Sequence, residues 1–211
     1  MTISGKTLAV LMSFAILSSA VPLAAQIDLP RTAVTAGKDS SASAEPSVSE
    51  MPLRLSADLS KRKLYVQRGD STLRVFDVSV GRDRYPTPTG SYTIRKMIWN
   101  PSWRPPPESD WAKGKSAKGP GEPGNPMKVV KIFFREPDYY IHGTDAVESL
   151  GSAASHGCLR MDPDEVASLA KLIMEHGGAP RDENWFWRVL HFRREEKTVY
   201  LDNPVSLTIA E

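Results

Sequence analysis

At 211 residues the chain has room for one ordinary domain and little beyond it. Its 27 basic and 25 acidic residues leave a formal charge of +2, too weak a field to argue for a nucleic-acid partner. With 40% hydrophobic and 25% charged residues the balance is that of a soluble globular protein, not of a disordered or membrane-embedded one.

Residues 1–25 read as an export signal. Lys6 supplies the positive end and Thr7 to Leu17 an apolar run too short to span a bilayer. Ser18 to Ala20 and Leu23 to Ala25 offer two small-residue cleavage sites. No Cys follows the run, which leaves no lipidation point there. Residues 26–50 shift to Ser, Ala, Thr and Val, a composition that builds no core and reads as a flexible linker.

From Met51 the pattern is that of strands. Leu53 to Ala57, Lys63 to Gln67, Thr72 to Val80 and Ser91 to Met97 alternate or carry β-branched and aromatic residues. Turn residues around Asp58 to Lys63 and at Arg68, Gly69 and Asp70 join the first three into hairpins. Val129 to Phe134, Tyr139 to His142, Thr198 to Leu201 and Val205 to Ile209 add four more. One helix is well signalled: Asp162 as N-cap, Pro163 in the first turn, Glu165 completing a capping box, and Gly177 as the stop. Val166, Leu169, Ala170 and Ile173 make its apolar stripe. Asn100 to Pro126, with seven prolines and four glycines, is a long loop. Its Trp103 and Trp111, with Trp99 just before it, suit either a substrate lid or rings folded onto the core.

Chemistry concentrates around the single cysteine, Cys158. It lies in Ser155, His156, Gly157, Cys158, Leu159, Arg160, Met161, with His142, Gly143 and Thr144 upstream at a strand end. A thiolate attacks carbonyls, so a working cysteine needs a base or a positive setting that lowers its pKa. His142 and His156 are candidate bases, and the start of the helix after Asp162 is a candidate positive dipole. Gly157 removes bulk beside the nucleophile, so that the N–H groups of Gly157 and Cys158 face a developing oxyanion. The rival is a zinc site from His142, His156 and Cys158, which lacks the Cys pair or second spaced His pair of a familiar framework. No metal and no cofactor is expected.

His142–Gly143–Thr144, followed after ten residues by Ser155 to Met161, resembles the signature of the L,D-transpeptidase (YkuD-type) catalytic domain. Thr87 to Ile94 resembles a second marker of that family. Asn100 to Trp103 resembles a third, seen in its envelope members of the ErfK/YbiS group. The resemblance implies a mainly β fold, a β-sandwich with one or two edge helices and the long Pro/Gly-rich loop. It implies a thioester on Cys158, formed at the third residue of a peptidoglycan tetrapeptide stem with release of D-Ala. An amine acceptor, on another stem or on a wall-linked protein, then takes the acyl group in the periplasm or cell envelope. His142 is the implied base, Gly143 orients its ring through its carbonyl, and Ser155, His156 and Gly157 shape the site. Arg160 stands where many members carry Asn; it suits a stem-peptide carboxylate or a structural ion pair.

The same acyl-enzyme resolved by water gives the alternative activity, a carboxypeptidase or an enzyme that releases a wall-linked protein. A wall-binding module without turnover is a third reading and leaves the Cys and His set idle. Residues 51–178 are the expected catalytic domain. Residues 179–211 form an extension that includes the terminal strand, whose Trp185, Phe186, Trp187 and Arg193 to Lys197 either pack or meet a partner.

Overall fold

The computed structural model describes residues 51–192 and 194–211; the expected export signal and linker lie outside them. Alternation of apolar and polar residues sets the architecture. In β1 (Leu53–Asp58) the side chains of Leu53, Leu55 and Ala57 are buried while those between them are not. The same period runs through β2 (Lys63–Arg68), β5 (Gly90–Trp99), β9 (Leu159–Met161) and β10 (Lys197–Ala210), whereas β6 (Lys128–Arg135) and β7 (Tyr139–Gly143) carry runs of consecutive buried residues. With β3 (Ser71–Asp77) these strands form one eight-stranded sheet in the order β3-β2-β1-β10-β5-β6-β7-β9. β4 (Val80–Gly81) and β8 (Ala153–Ser155) pair separately.

Two expected strands differ in extent. Thr72 to Val80 breaks after Asp77, because Ser79 turns away to exchange backbone hydrogen bonds with Arg160 at 2.9 Å each way. The two C-terminal runs are one strand, β10, which passes Pro204 through an irregularity between Tyr200 and Val205. Its later half pairs with both β1 and β5, in the middle of the sheet.

One buried cluster joins the inward face of the sheet to α1 (Pro163–His176), whose Val166, Leu169, Ala170 and Ile173 are buried. Asp162 caps α1 by accepting from the N–H groups of Asp164 and Glu165. A second helix, α2 (Glu183–His191), is capped by Asp182 and buries Phe186 and Val189. The two helices meet on Trp99, which is fully buried: its Nε1 donates to Met174 Sδ at 3.3 Å, and Trp185 and Phe186 stack against its ring. Asn100 then holds a positive φ of 52°, a conformation that Asn tolerates, and its Nδ2 donates to the Val189 carbonyl in the last turn of α2. The aromatic residues of the extension therefore divide: Phe186 is packed, whereas Trp187 and Phe192 are exposed. Among the described residues no helix is long and apolar enough to cross a membrane.

Candidate active site

The register of three strands assembles the site. Ile132, Ile141 and Leu159 lie side by side in β6, β7 and β9 and point into the core. The residues between them point to the opposite face. There Lys131, His142 and Arg160 form one row, and Phe133 and Tyr140 the next. Cys158, one residue before Leu159, sits beside Tyr140 and diagonally from His142, a relation close enough for an imidazole to bridge. Cys158, His142, Tyr140 and Arg160 line a single cleft of about 900 Å³.

Each group is fixed by its neighbours. His142 Nδ1 lies 2.8 Å from the Gly143 carbonyl oxygen, which sets the tautomer with the proton on Nδ1 and leaves Nε2 as the acceptor. Gly143 is needed there: a Cβ would come within 2.7 Å of the Lys128 carbonyl oxygen and 3.1 Å of Val166 Cγ1. Opposite it β6 is bulged between Lys128 and Lys131, with Val129 at φ 65°, the kind of irregularity that re-aims side chains beside a site. Ser155 closes the turn before Cys158, its Oγ donating to the Cys158 carbonyl at 2.6 Å and accepting from the Gly157 N–H at 3.0 Å. Gly157 has φ 106°, and a Cβ would strike Tyr139 at 2.8 Å. The Cys158 thiol donates to the Asp138 carbonyl at 3.3 Å, and the Tyr140 N–H donates to the sulfur.

Three expectations change. The Cys158 thiol is not lowered in pKa. Although the residue keeps an accessible edge, burial pushes it up to about 11, against the opposing pull of the Tyr140 N–H, Arg160 and Lys131. Burial also depresses His142 to about 3, with Arg160 and Lys131 adding to the effect and the Gly143 hydrogen bond opposing it. The resting pair is thus uncharged thiol and uncharged imidazole. The positive setting expected from the start of α1 is reduced, because the Asp162 carboxylate already caps it. Finally, the Gly157 N–H is committed to Ser155, which leaves the Cys158 N–H as the backbone donor for an oxyanion.

His156 lies in the cleft between two rings, stacked on Trp111 at 4.0 Å and 17° and tilted against Tyr85 at 5.0 Å. Burial, with Arg82, Arg160 and Lys115, lowers it to about 4. Arg160 makes no ion pair within 4.0 Å among the described residues, so it faces the cleft as an uncancelled charge that acts on Cys158. No three His, Cys, Asp or Glu side chains among the described residues gather as a metal site.

The family model of the YkuD L,D-transpeptidase catalytic domain matches residues 53–189. The chain belongs to the L,D-transpeptidase catalytic-domain family. YkuD of Bacillus licheniformis is 26% identical over 123 residues, 58% of this chain and 61% of that protein. ErfK/SrfK of Escherichia coli K12 is 32% identical over 119 residues, 53% of this chain and 38% of that one. YqjB of Bacillus subtilis strain 168 is 34% identical over 104 residues, covering 47% and 53%. The chain spans about half the length of the curated relatives it matches. Among solved structures it is similar to an L,D-transpeptidase from Mycobacterium smegmatis, with 18% identity, 76% of this chain and 59% of that one covered, and a TM-score of 0.48. The catalytic domain of an E. faecium L,D-transpeptidase is 14% identical with a TM-score of 0.47, covering 74% of this chain and 97% of that one.

Within this L,D-transpeptidase domain the Asn100–Pro126 segment is ordered over the cleft. Trp103 is buried and exchanges backbone hydrogen bonds with Lys118 at 2.8 Å, and Asn125 Nδ2 ties the ends together through the carbonyls of Pro101 and Gly119 at 2.9 Å. Asp110–Ala112 form a single 3-10 turn that carries Trp111 onto His156. Both readings of the tryptophans apply: Trp99 is packed in the core, whereas Trp103, itself buried, and Trp111 form part of the cleft wall. Two residues of the site lay outside the sequence-based set. Tyr140 contacts the Cys158 sulfur, and Lys131 stands over the Tyr140 ring with its Nζ 4.9 Å from the ring centroid. The available signal was a lone Lys between Val130 and Ile132 in an apolar strand.

Proposed function

We propose that this domain is a peptidoglycan L,D-transpeptidase working through a thioester on Cys158. The observation that supports it best is the placement of Cys158 diagonally from His142 on one face of β7 and β9, with the imidazole acceptor nitrogen fixed by the Gly143 carbonyl. As substrate enters, His142 Nε2 takes the thiol proton while the sulfur attacks the carbonyl carbon of the third residue of a tetrapeptide stem. The Cys158 N–H faces the developing oxyanion, and Arg160 meets a carboxylate of the stem. The C–N bond to D-Ala breaks, and the departing amine takes the proton from His142. An acceptor amine then attacks the thioester, gives its proton through His142 to the sulfur, and leaves as the new amide. Export through residues 1–25 delivers the domain to the envelope where this substrate resides.

The test is incubation of the purified protein with tetrapeptide muropeptides, alone and with an amine acceptor, and identification of products by mass. Wild type should release D-Ala and form a cross-linked or amine-bearing product, and Cys158→Ala should do neither while keeping its fold. D-Ala release that persists in Cys158→Ala sinks the mechanism. Release with no amine product, only the tripeptide acid, assigns the hydrolytic outcome instead.

A further inference from the structure

Three lysines point to the site face of β5 and β6 or flank it, and two of them are neutralised. Lys96, in the row of Phe133 and Tyr140 but two strands from Tyr140, pairs with Glu136, and Lys128 pairs with Asp145 at 2.6 Å. Lys131, in the row of His142, has no carboxylate within 4.0 Å among the described residues. Its Nζ instead donates to the Ser102 carbonyl at 2.8 Å and lies over the Tyr140 ring. Glu196, whose charge acts on it along with that of Asp138, is bound to Ser102 and not to Lys131: the Ser102 N–H and Oγ donate to Oε1 at 2.5 and 2.6 Å. Keeping a half-buried ammonium without a carboxylate in contact is unfavourable, so a fold that does so beside a sulfur nucleophile is using the charge.

We propose that Lys131 is a positioning residue that presents a fixed cation behind Tyr140, favours the Cys158 thiolate as it forms, and fastens that charge to the start of the Asn100–Pro126 loop through Ser102. The proposal rests on Cys158 being the nucleophile. The groups facing the sulfur are Tyr140 and His142 from β7, Asp138 ahead of it, Lys131 from β6 and Arg160 from β9; Arg82 acts on it only through Arg160. Of these, Lys131 and Arg160 favour the thiolate and Asp138 opposes it. Lys131 differs from Arg160 in being outside the cleft wall, so it acts on the sulfur and not by contact with substrate. Its carbonyl partner belongs to the loop whose Trp111 lies on His156, so the cation is held in place by the segment that covers the cleft.

The experiment measures the alkylation rate of Cys158 by iodoacetamide between about pH 6.5 and 8.5, below the ordinary thiol range. The proteins are wild type, Lys131→Gln, Lys131→Met, Lys131→Arg and Lys96→Met, each checked by thermal melt. Gln retains a donor for the Ser102 carbonyl but no charge. The whole rate curve should move to higher pH in the Gln and Met variants, a fall of roughly 3- to 10-fold at any one pH, equal to half to one pKa unit. Lys131→Arg should stay within about twofold of wild type, and Lys96→Met, whose ammonium lies over the Phe133 ring and is already paired with Glu136, should be unchanged. If a folded Lys131→Gln alkylates as wild type does, the proposal is wrong, whatever its turnover. A fall that Lys131→Arg fails to rescue also overturns it, since then the residue acts through shape and not charge. Iodoacetamide needs no muropeptide, so these outcomes are separate from the fate of the transpeptidase reading, which Cys158→Ala and D-Ala release decide.

Discussion

Keeping an imidazole uncharged inside the protein makes the domain sensitive to acid, and the size of the effect follows from His142. Its pKa is about 3 in the fold against an ordinary 6.5, chiefly because burial disfavours the imidazolium. An unfolded chain therefore binds a proton at His142 that the folded chain refuses. Stability is fully present above pH 6.5 and is lost progressively as pH falls from 6.5 toward 3. At pH 5 the His142 share of the loss is about 2 kcal/mol, roughly a 30-fold change in the folding constant. His156 and His176 are also depressed and titrate in the same window, but both are partly exposed and contribute less. The assay is urea unfolding of the full chain at pH 7 and pH 5, wild type against His142→Asn. Asn leaves a smaller side chain and lowers stability at both pH values, so the slope and not the level is the readout. The other histidines remain in the variant, so its loss between the two pH values should be smaller by about 2 kcal/mol. Losses equal to within about 0.5 kcal/mol would refute a neutral buried His142, and with it the uncharged resting pair. On the alkaline side Cys158 works with the opposite sign. Its folded pKa of about 11 lies above the ordinary 9, so stability present below pH 9 declines as pH rises through 11.

The parts of this fold that alternate over five or more residues were legible in the sequence, because a strand buried on one face repeats every two residues. α1 was legible for a second reason, the agreement of its cap, its first-turn Pro, its apolar stripe and its Gly stop. β8 and β9 were not, being three residues long, too short for a period to register. Yet β9 holds Cys158 in register: Leu159 and Met161 face the core, and that alone turns Cys158 and Arg160 to the cleft. The motif around Cys158 pointed to candidate residues without stating their charge. Protonation depends on burial and on charges and donors far apart in sequence, here Asp138, Tyr140 and Lys131, which only the pairing of β6, β7 and β9 brings together. The same holds for the loop. Its prolines excluded regular structure, but that its Trp103 and Trp111 rings line the cleft depends on tertiary contacts, Trp103 to Lys118 and Trp111 to His156.

Two further substitutions probe the supports of the site. Gly143→Ala places a Cβ 2.7 Å from the Lys128 carbonyl oxygen, a backbone atom of the β6 bulge that has little freedom to retreat, so unfolding by urea should show a loss of about 1–3 kcal/mol. D-Ala release should fall further than that loss explains, since the Gly143 carbonyl that orients His142 moves with it. Trp111→Ala removes the ring stacked on His156 while leaving the core intact, and aromatic contacts of this kind are worth only about 0.5–1.5 kcal/mol, so the protein should stay folded. Burial is the largest cause of the low His156 pKa, and Trp111 supplies one of the two rings that bury it. The His156 titration, followed by NMR, should therefore climb from about 4 toward the ordinary 6.5. Arg82, Arg160 and Lys115 still face the ring and keep it from reaching that value. Turnover should drop because the cleft has lost a wall, whereas Cys158 alkylation should hold, since none of the groups that set the thiol lies on the Asp110–Ala112 turn. A His156 titration unmoved by Trp111→Ala would mean that the stack does not hold in solution, and the loop would then act on substrate without acting on His156.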